Sequence, residues 1–382
     1  MSRPKLRVVE LARILAGPWI GQILADLGAD VTKVESPRGD DTRSWGPPFV
    51  DVEGEEVAAY FHSCNRGKRS FVADFNSEAD REAVFDLISH ADVVIENFKV
   101  GGLKKYGLDY ASLSQHHPRL IYCSVTGFGQ TGPYASRAGY DFVIQAMSGI
   151  MDLTGDPKGE PQKIGVALAD IITGLYGTIA IQAALSHRLE TGRGQHIDMS
   201  LLDCMTGVLA NQAMNYLATG VPPKRMGNEH PNIAPYQTFE VDDGRIVVAV
   251  GNDNQFRHLC DLLGCSSLAE DDQFSTNIAR VENRESLVTA LSERFRSWQR
   301  GALLDALESC GVPAGPINAV SDVFADPQVI HRGLQINPAG IKTVRSPLTM
   351  SDLPLQLDRR APKLGEHTQE IKAELTARAT SS

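Results

Sequence analysis

The chain has 382 residues, 42% of them hydrophobic and 22% charged, with a net charge of −10. That length is large for one core and that composition is globular rather than disordered, so two domains are expected. The acidic balance argues against a general nucleic-acid surface, and the six cysteines (Cys64, Cys123, Cys204, Cys260, Cys265, Cys310) lack C-x-x-C or zinc spacing, which points to free thiols in a reducing, cytoplasmic setting.

From the amino terminus, Met1-Ser2-Arg3-Pro4-Lys5-Leu6-Arg7 runs into an apolar strand with no secretory signal, and no apolar run is read as reaching the ~18 residues that span a bilayer. Residues 6–11 are expected to be a strand and 19–27 a helix, with Pro18 near its first turn and Gly28 closing it. Residues 31–35 complete a βαβ unit, which requires parallel pairing. The alternation recurs with strands at 69–73, 91–95 and 120–125 and a helix at 78–89. Residues 1–200 are therefore read as an open α/β domain, whose ligand belongs at the carboxyl ends of the strands. A helix-like stretch at 201–217 leads to Gly220-Val221-Pro222-Pro223, so 201–225 is taken as a linker. A smaller domain follows over 226–316, with a hairpin turning on Asp242-Asp243-Gly244 and helices through roughly 253–310. Gly311-Val312-Pro313-Ala314-Gly315-Pro316 marks its end, and 317–382 returns to the first domain.

The opening βαβ unit carries Glu35 at the end of its second strand, but Gly17 and Gly21 stand alone and no G-x-G-x-x-G fingerprint exists, which disfavours a nicotinamide oxidoreductase. Asn65-Arg66-Gly67-Lys68-Arg69-Ser70 groups three cations around a glycine, either as a phosphate cradle or as a solvated basic turn. Lys104 and Lys105, after Glu96-Asn97-Phe98, add a second positive site, and two such clusters in an acidic protein suit a ligand with several phosphates. Tyr140 and Asp141 are polar groups in an apolar segment, able to orient a reacting carboxyl or to form a structural hydrogen-bond pair. Asp170 is a lone carboxylate within the small, apolar segment 165–174, ahead of a stretch that is read as a buried helix. At a helix N-terminus, amides and the macrodipole favour its ionised form. It is then either an N-cap, worth about 1 kcal/mol, or a nucleophilic carboxylate whose neighbouring amides can receive an oxyanion. Gly174, Gly177, Ala180 and Ala184 form a small-residue stripe on that helix, for close packing inside the domain or between subunits. The histidines show no metal spacing, and no G-x-S-x-G elbow is present.

Taken together, Leu15-Ala16-Gly17-Pro18, residues 27–35, 65–70 and 92–98, Ala169-Asp170, residues 191–195 and 311–316, and Leu364-Gly365-Glu366-His367-Thr368 resemble the class III CoA-transferases, the CaiB/BaiF family, nearly end to end. The resemblance implies a Rossmann-like large domain with an open, mostly parallel sheet, a smaller α+β domain, and an interlocked homodimer. It implies that Asp170 is the catalytic aspartate, which forms mixed anhydrides and a thioester to CoA. The CoA would be held by Leu15, Arg38, Arg66, Lys68, Arg69, Asn97, Phe98, Lys104 and Arg137, with Arg43 in the same loop as Arg38. Tyr140, Asp141, Asn228 and His230 would contact the acid substrates. The segment Gly227-Asn228-Glu229-His230-Pro231 looks most like the succinate–hydroxymethylglutarate branch, which makes His230 the expected contact for the far carboxylate of a dicarboxylic acid. CoA is then a co-substrate, no metal or other cofactor is called for, and neither nucleic acid nor membrane is a partner. The α-methylacyl-CoA racemases of the same superfamily carry a histidine where this chain has Tyr140, so acyl transfer is expected over racemisation or plain CoA binding. Leu15 replaces the glutamine of formyl-CoA transferase, which argues against the formyl/oxalyl pair.

Overall fold

Six strands, β1 (Arg7–Glu10), β2 (Asp30–Glu35), β3 (Arg69–Val72), β4 (Val93–Glu96), β5 (Ile121–Thr126) and β6 (His196–Ser200), pair in parallel in the order β3-β2-β1-β4-β5-β6. The coordinates are a computed structural model that describes residues 5–379. The strands form because their runs of Val and Ile are buried on both faces, as parallel sheets require. Val8, Val31, Ile95 and Cys123 face one core, while Val9, Val34, Val94 and Tyr122 face the other. The order reverses between β1 and β4, and such a switch point opens a crevice at the carboxyl ends of the strands.

The helices of this first unit include α1 (Ala16–Asp26), α2 (Ala59–Cys64), α3 (Glu78–Ser89), α4 (Asp141–Met147), α5 (Leu168–Thr191), α6 (Leu201–Gly207) and α7 (Ala210–Thr219). The glycines of α5 seat α1. A Cβ on Gly174 would lie 2.9 Å from Trp19 Cβ and 3.1 Å from the Ala16 carbonyl oxygen, and one on Gly177 would lie 2.5 Å from Ile20 Cδ1. The small-residue stripe therefore serves close packing inside the unit. By length and composition alone α5 is also long and apolar enough to cross a bilayer, with 24 residues and an 18-residue stretch of mean hydropathy 1.5. It is not buried all round either. Thr173, Gly174, Gly177, Ile181 and Ala184 lie in the core, whereas Leu175, Ile179 and Leu189 are exposed.

The carboxyl-terminal segment covers the free edge of β3. Ser70 N donates to His367 Nδ1 (3.3 Å), His367 N to the Ser70 carbonyl (3.1 Å), and Val72 N to Thr368 Oγ1 (3.1 Å). The helix Thr368–Ala379 then buries Ile371 and Leu375 beside Phe71 and Val84. An edge strand is thereby closed to pairing with other chains.

The chain divides into two compact units, one made of the described residues up to Ile150, Lys163–Ala218 and those from Pro327 onward, the other of Met151–Gln162 and Thr219–Asp326. The second unit has an antiparallel sheet of β7 (Tyr236–Val241), β8 (Gly244–Ala249) and β9 (Ala314–Pro316) in the order β9-β8-β7. Phe239 stacks on Phe295 with ring centroids 4.3 Å apart, in a core shared with Ile246, Phe256, Leu287 and Leu303. This division differs from the expected 201–225 linker and 226–316 domain. Residues 201–217 are not a linker, because Leu201 and Met205 of α6 lie in the core of the first unit. The Gly/Pro run at 311–316 is no boundary, because three of its residues pair with β8.

Candidate active site

The loop that leaves β1 is held from two sides at the switch point. Arg13 N donates to Asn97 Oδ1 (2.9 Å), and Asn97 Nδ2 donates to the Arg13 carbonyl (2.7 Å). Asn97, expected as a CoA contact, thus clasps two strand ends together. Next in the loop, Ile14 adopts a φ of +71°, unfavourable for a β-branched residue, and its N–H donates to the Asp40 carboxylate at 3.2 and 3.3 Å. Lys33 Nζ lies 2.9 Å from Asp40 Oδ2, 3.1 Å from Glu10 Oε1 and 2.9 Å from the Ala12 carbonyl. Burial alone would lower the Lys33 ammonium, yet Glu10 and Asp40 hold it above its ordinary value. Glu35, 2.7 Å from the Arg43 guanidinium, is held below the usual carboxylate range by Arg43 and Lys33 against the opposing effect of burial.

The basic segment is part of this internal lattice and not a phosphate cradle. Lys68 Nζ lies 2.8 Å from Glu10 Oε2 and donates to the Pro18 carbonyl and to Asn65 Oδ1, both at 2.8 Å. Arg66 pairs with Asp26 at 2.6 Å and donates to the Val344 carbonyl, and Arg69 meets Asp30 and Glu374 at 3.0 and 2.7 Å. Buried cations need such partners, so Arg66, Lys68 and Arg69 have little left to offer a ligand. Arg43 likewise serves Glu35 and the Pro362 carbonyl. The Leu15 side chain is buried, and Phe98 stacks on Phe75. Among the exposed cations are Arg38 after β2, Arg13 after β1, Lys99, Lys104 and Lys105 after β4, and Arg137 after β5, following the carboxyl ends of four adjacent strands. Arg13, which the sequence reading did not pick out, pairs with the exposed Asp41 at 2.9 Å, and Arg137 lies over the Tyr134 ring at 3.8 Å.

Asp170 is the third residue of α5, not its N-cap, and the position before the helix, Ala167, makes no side-chain cap. The cap comes from α4. Asp141 Oδ1 accepts from Ala169 N at 2.7 Å and from Asp170 N at 3.4 Å, while Oδ2 accepts from Gln145 Nε2 at 2.8 Å. Gln145, fully buried, also accepts Ile164 N at 2.9 Å. Leu168 N and Ile171 N donate to the Val166 and Ala167 carbonyls. Every amide of the first turn is therefore engaged, and the Asp170 carboxyl itself accepts no hydrogen bond among the described residues. Burial, and then the charge of Asp141, push its pKa up to about 7. The helix start does not keep Asp170 ionised, and its amides are no oxyanion hole, because Asp141 occupies them. Asp141 correspondingly has both oxygens bonded internally and is not placed as a free substrate contact, whereas Tyr140 is 63% exposed beside it.

Sequence reasoning missed Tyr60 on α2. Burial and then the Asp170 charge raise its hydroxyl, which places it in the field of that carboxylate, and Trp45 packs edge-on against its ring at 5.3 Å. Nothing local in 58–64 signals this, since the segment looks like any half-buried helical turn. Asn228 and His230 belong to the second unit. His230 Nδ1 accepts from Asn232 N at 3.1 Å, and Arg284 Nη2 donates to the His230 carbonyl at 2.6 Å. Burial, and then Arg284, hold the imidazole below its ordinary value, so its free Nε2–H is a neutral donor and not the counter-charge a carboxylate would meet. Asn228 is exposed, with its amide 3.5 Å from Thr238 Oγ1.

Residues 5–368 match the family described as CoA-transferase family III. A succinate–glutarate CoA-transferase of Agrobacterium fabrum is 56% identical over 97% of this chain and 94% of its own length. The human succinyl-CoA:glutarate CoA-transferase is 42% identical over 97% of this chain and 85% of its own. A crystal structure of a CaiB/BaiF family protein from Brucella suis superposes with a TM-score of 0.89 at 67% identity, covering 97% of this chain and 98% of that one. A parallel sheet with an anion-suited rim, a lone carboxylate at a helix start, and likeness along almost the whole sequence agree, and the chain belongs to CoA-transferase family III.

Proposed function

We propose that this enzyme moves CoA from succinyl-CoA to a second dicarboxylic acid such as glutarate, and that Asp170 carries the CoA covalently between them. The acid pair is supported by the names of the relatives at 56% and 42% identity. The observation that carries the nucleophile is the Asp170 carboxyl, partly buried, unbonded, and at the start of the helix packed on α1.

In this reading the Asp170 carboxylate attacks the thioester carbonyl of succinyl-CoA, the C–S bond breaks, and CoA leaves as thiolate. The thiolate attacks the aspartyl carbonyl of the mixed anhydride and releases succinate, leaving an aspartyl–CoA thioester. The acceptor carboxylate attacks that thioester and again expels thiolate, which then takes the acceptor acyl group and regenerates Asp170. No net proton is gained or lost, and the exchange is divided into lower barriers. The phosphates of CoA are assigned to the rim cations Arg38, Lys104 and Arg137, with Arg13 beside them, and CoA is the only cofactor the scheme uses.

Hydroxylamine added to enzyme with succinyl-CoA is expected to convert Asp170 to its hydroxamate, detected by mass on the peptide that contains it. An unmodified peptide during active turnover would falsify the covalent scheme. The reading extends to a cytoplasmic homodimer. Supporting it are the exposed Leu175, Ile179 and Leu189 of α5, which line a groove of about 2100 Å³ in the first unit. The purified protein is expected to sediment at twice the 41.5 kDa of the chain, and a monomer at micromolar concentration removes the dimer from the reading.

A further inference from the structure

We propose that Asp141 and Gln145 are positioning residues that divert the first-turn amides of α5 away from the Asp170 carboxyl, leaving that carboxyl bare and therefore a stronger nucleophile. The inference rests on Asp170 being the nucleophile, and it goes beyond that reading by assigning a task to two residues that do not themselves react.

A carboxylate at the start of a long helix ordinarily gathers two or three amide hydrogen bonds, which stabilise the anion and make it weakly basic. Nucleophilic power follows basicity, so an aspartate held that way would be stable and sluggish. Here the amides within reach of Asp170 point elsewhere. Ala169 N and Asp170 N end on Asp141 Oδ1, and Leu168 N and Ile171 N end on main-chain carbonyls. The diversion is itself braced. Asp141 Oδ2 is fixed by Gln145 Nε2, and Gln145 in turn takes Ile164 N (2.9 Å) and reaches the Val166 carbonyl (3.3 Å). One fully buried amide side chain thus joins α4 to the segment that leads into α5 and fixes where that helix begins.

Among the described residues, no cation acts on the Asp170 carboxyl to offset this. Asp141 comes from α4, and Tyr60 comes from α2. The first turn of α1, Ala16-Gly17-Pro18-Trp19, has no titratable side chain. From α6 comes the buried Cys204, and Thr173 on the next turn of α5 gives its hydroxyl to the Ala169 carbonyl at 2.7 Å. Asp141 accordingly holds the amides and adds a like charge, and both effects favour a basic Asp170.

The test follows the Asp170 carboxyl by ¹³C NMR in aspartate-labelled full-length protein, with the resonance assigned by its loss in Asp170→Asn. The same proteins are assayed for succinyl-CoA-dependent transfer from pH 5 to 9. In the native protein the resonance is expected to titrate at about 7, with the acid limb of kcat/KM coinciding with it. In Asp141→Asn both are expected to move down by about one unit or more, with a lower limiting kcat. Gln145→Met retains the Asp141 charge but removes its brace, so kcat falls and the limb moves down by less than in Asp141→Asn. Asp141→Ser, which keeps a capping oxygen without the charge, takes the place of the asparagine variant if that one does not fold. A folded Asp141 variant whose Asp170 resonance titrates as in the native protein overturns the inference, even if kcat drops. The NMR titration needs no turnover, so it is read separately from the trapping result, whose failure would remove the nucleophile instead.

Discussion

Asp170→Ala is expected to lower succinyl-CoA-dependent transfer by about 10⁴-fold or more, because removing a covalent nucleophile leaves only binding and orientation to act. The fold and acyl-CoA binding should persist, since the α5 start is capped by Asp141 and not by Asp170. Residual transfer within about tenfold of the native rate would remove Asp170 from the chemistry. A companion result concerns stability. The Asp170 pKa is raised to about 7 from 3.8, so between those values the folded protein keeps a proton that the unfolded chain has lost. Stability attributable to this residue therefore falls as pH rises from about 4 to 7 and stays low above that. Asp170→Asn, which cannot ionise, should be more stable than the native protein at pH 8 by on the order of 2–4 kcal/mol, and equal to it at pH 4. Urea denaturation at the two pH values measures this, and an equal difference at both would contradict the raised value. The site would then be one where a less stable arrangement is kept for reactivity.

Lys33→Met carries the largest expected structural cost. It leaves Glu10 and Asp40, both fully buried, without the ammonium they share. Breaking a buried pair by deleting one partner costs about 3–5 kcal/mol, since a charge remains buried without compensation. The lattice also sets function-bearing geometry. Asp40 would lose its partner while still holding Ile14 at a positive φ, so the β1 loop should loosen and the KM for succinyl-CoA should rise. Chemical denaturation gives the stability loss. A change below about 1 kcal/mol would mean that the three carboxylates Glu10, Glu35 and Asp40 are not balanced by Lys33, Lys68 and Arg43. Because Glu35 and Asp40 sit below the usual carboxylate range, their contribution is present above about pH 4–5 and lost as pH falls through their folded values.

The parallel sheet was legible because its strands are short Val- and Ile-rich runs bounded by turn residues, and α3 was legible to the residue as 78–89, although its Ser77 cap was not picked out. Strand β6 was not read as a strand. It pairs only with β5, is half-buried along most of its length, and its sequence His196-Ile197-Asp198-Met199-Ser200 shows no apolar run. The same kind of gap explains the site. Asp170 stood out from its own neighbours, but the residue that takes its amides lies 29 positions away on another helix. The basic segment looked available because its counter-charges, Glu10, Asp26 and Glu374, come from distant parts of the chain that only the folded sheet brings in. Spacing indicates which side chains are charged, whereas burial decides which of them remain free for a ligand.

The tie between β3 and the segment 365–375 has a consequence for how the protein is made. A ribosome releases the strand early and the residues that shield it nearly 300 positions later, with the second unit emerging in between. Until residues 365–375 emerge, a nascent chain displays an open sheet margin that invites pairing with its neighbours on the same message. Expression trials that remove residues 365–375 therefore break the seal itself, and insoluble product from such clones is the foreseeable outcome.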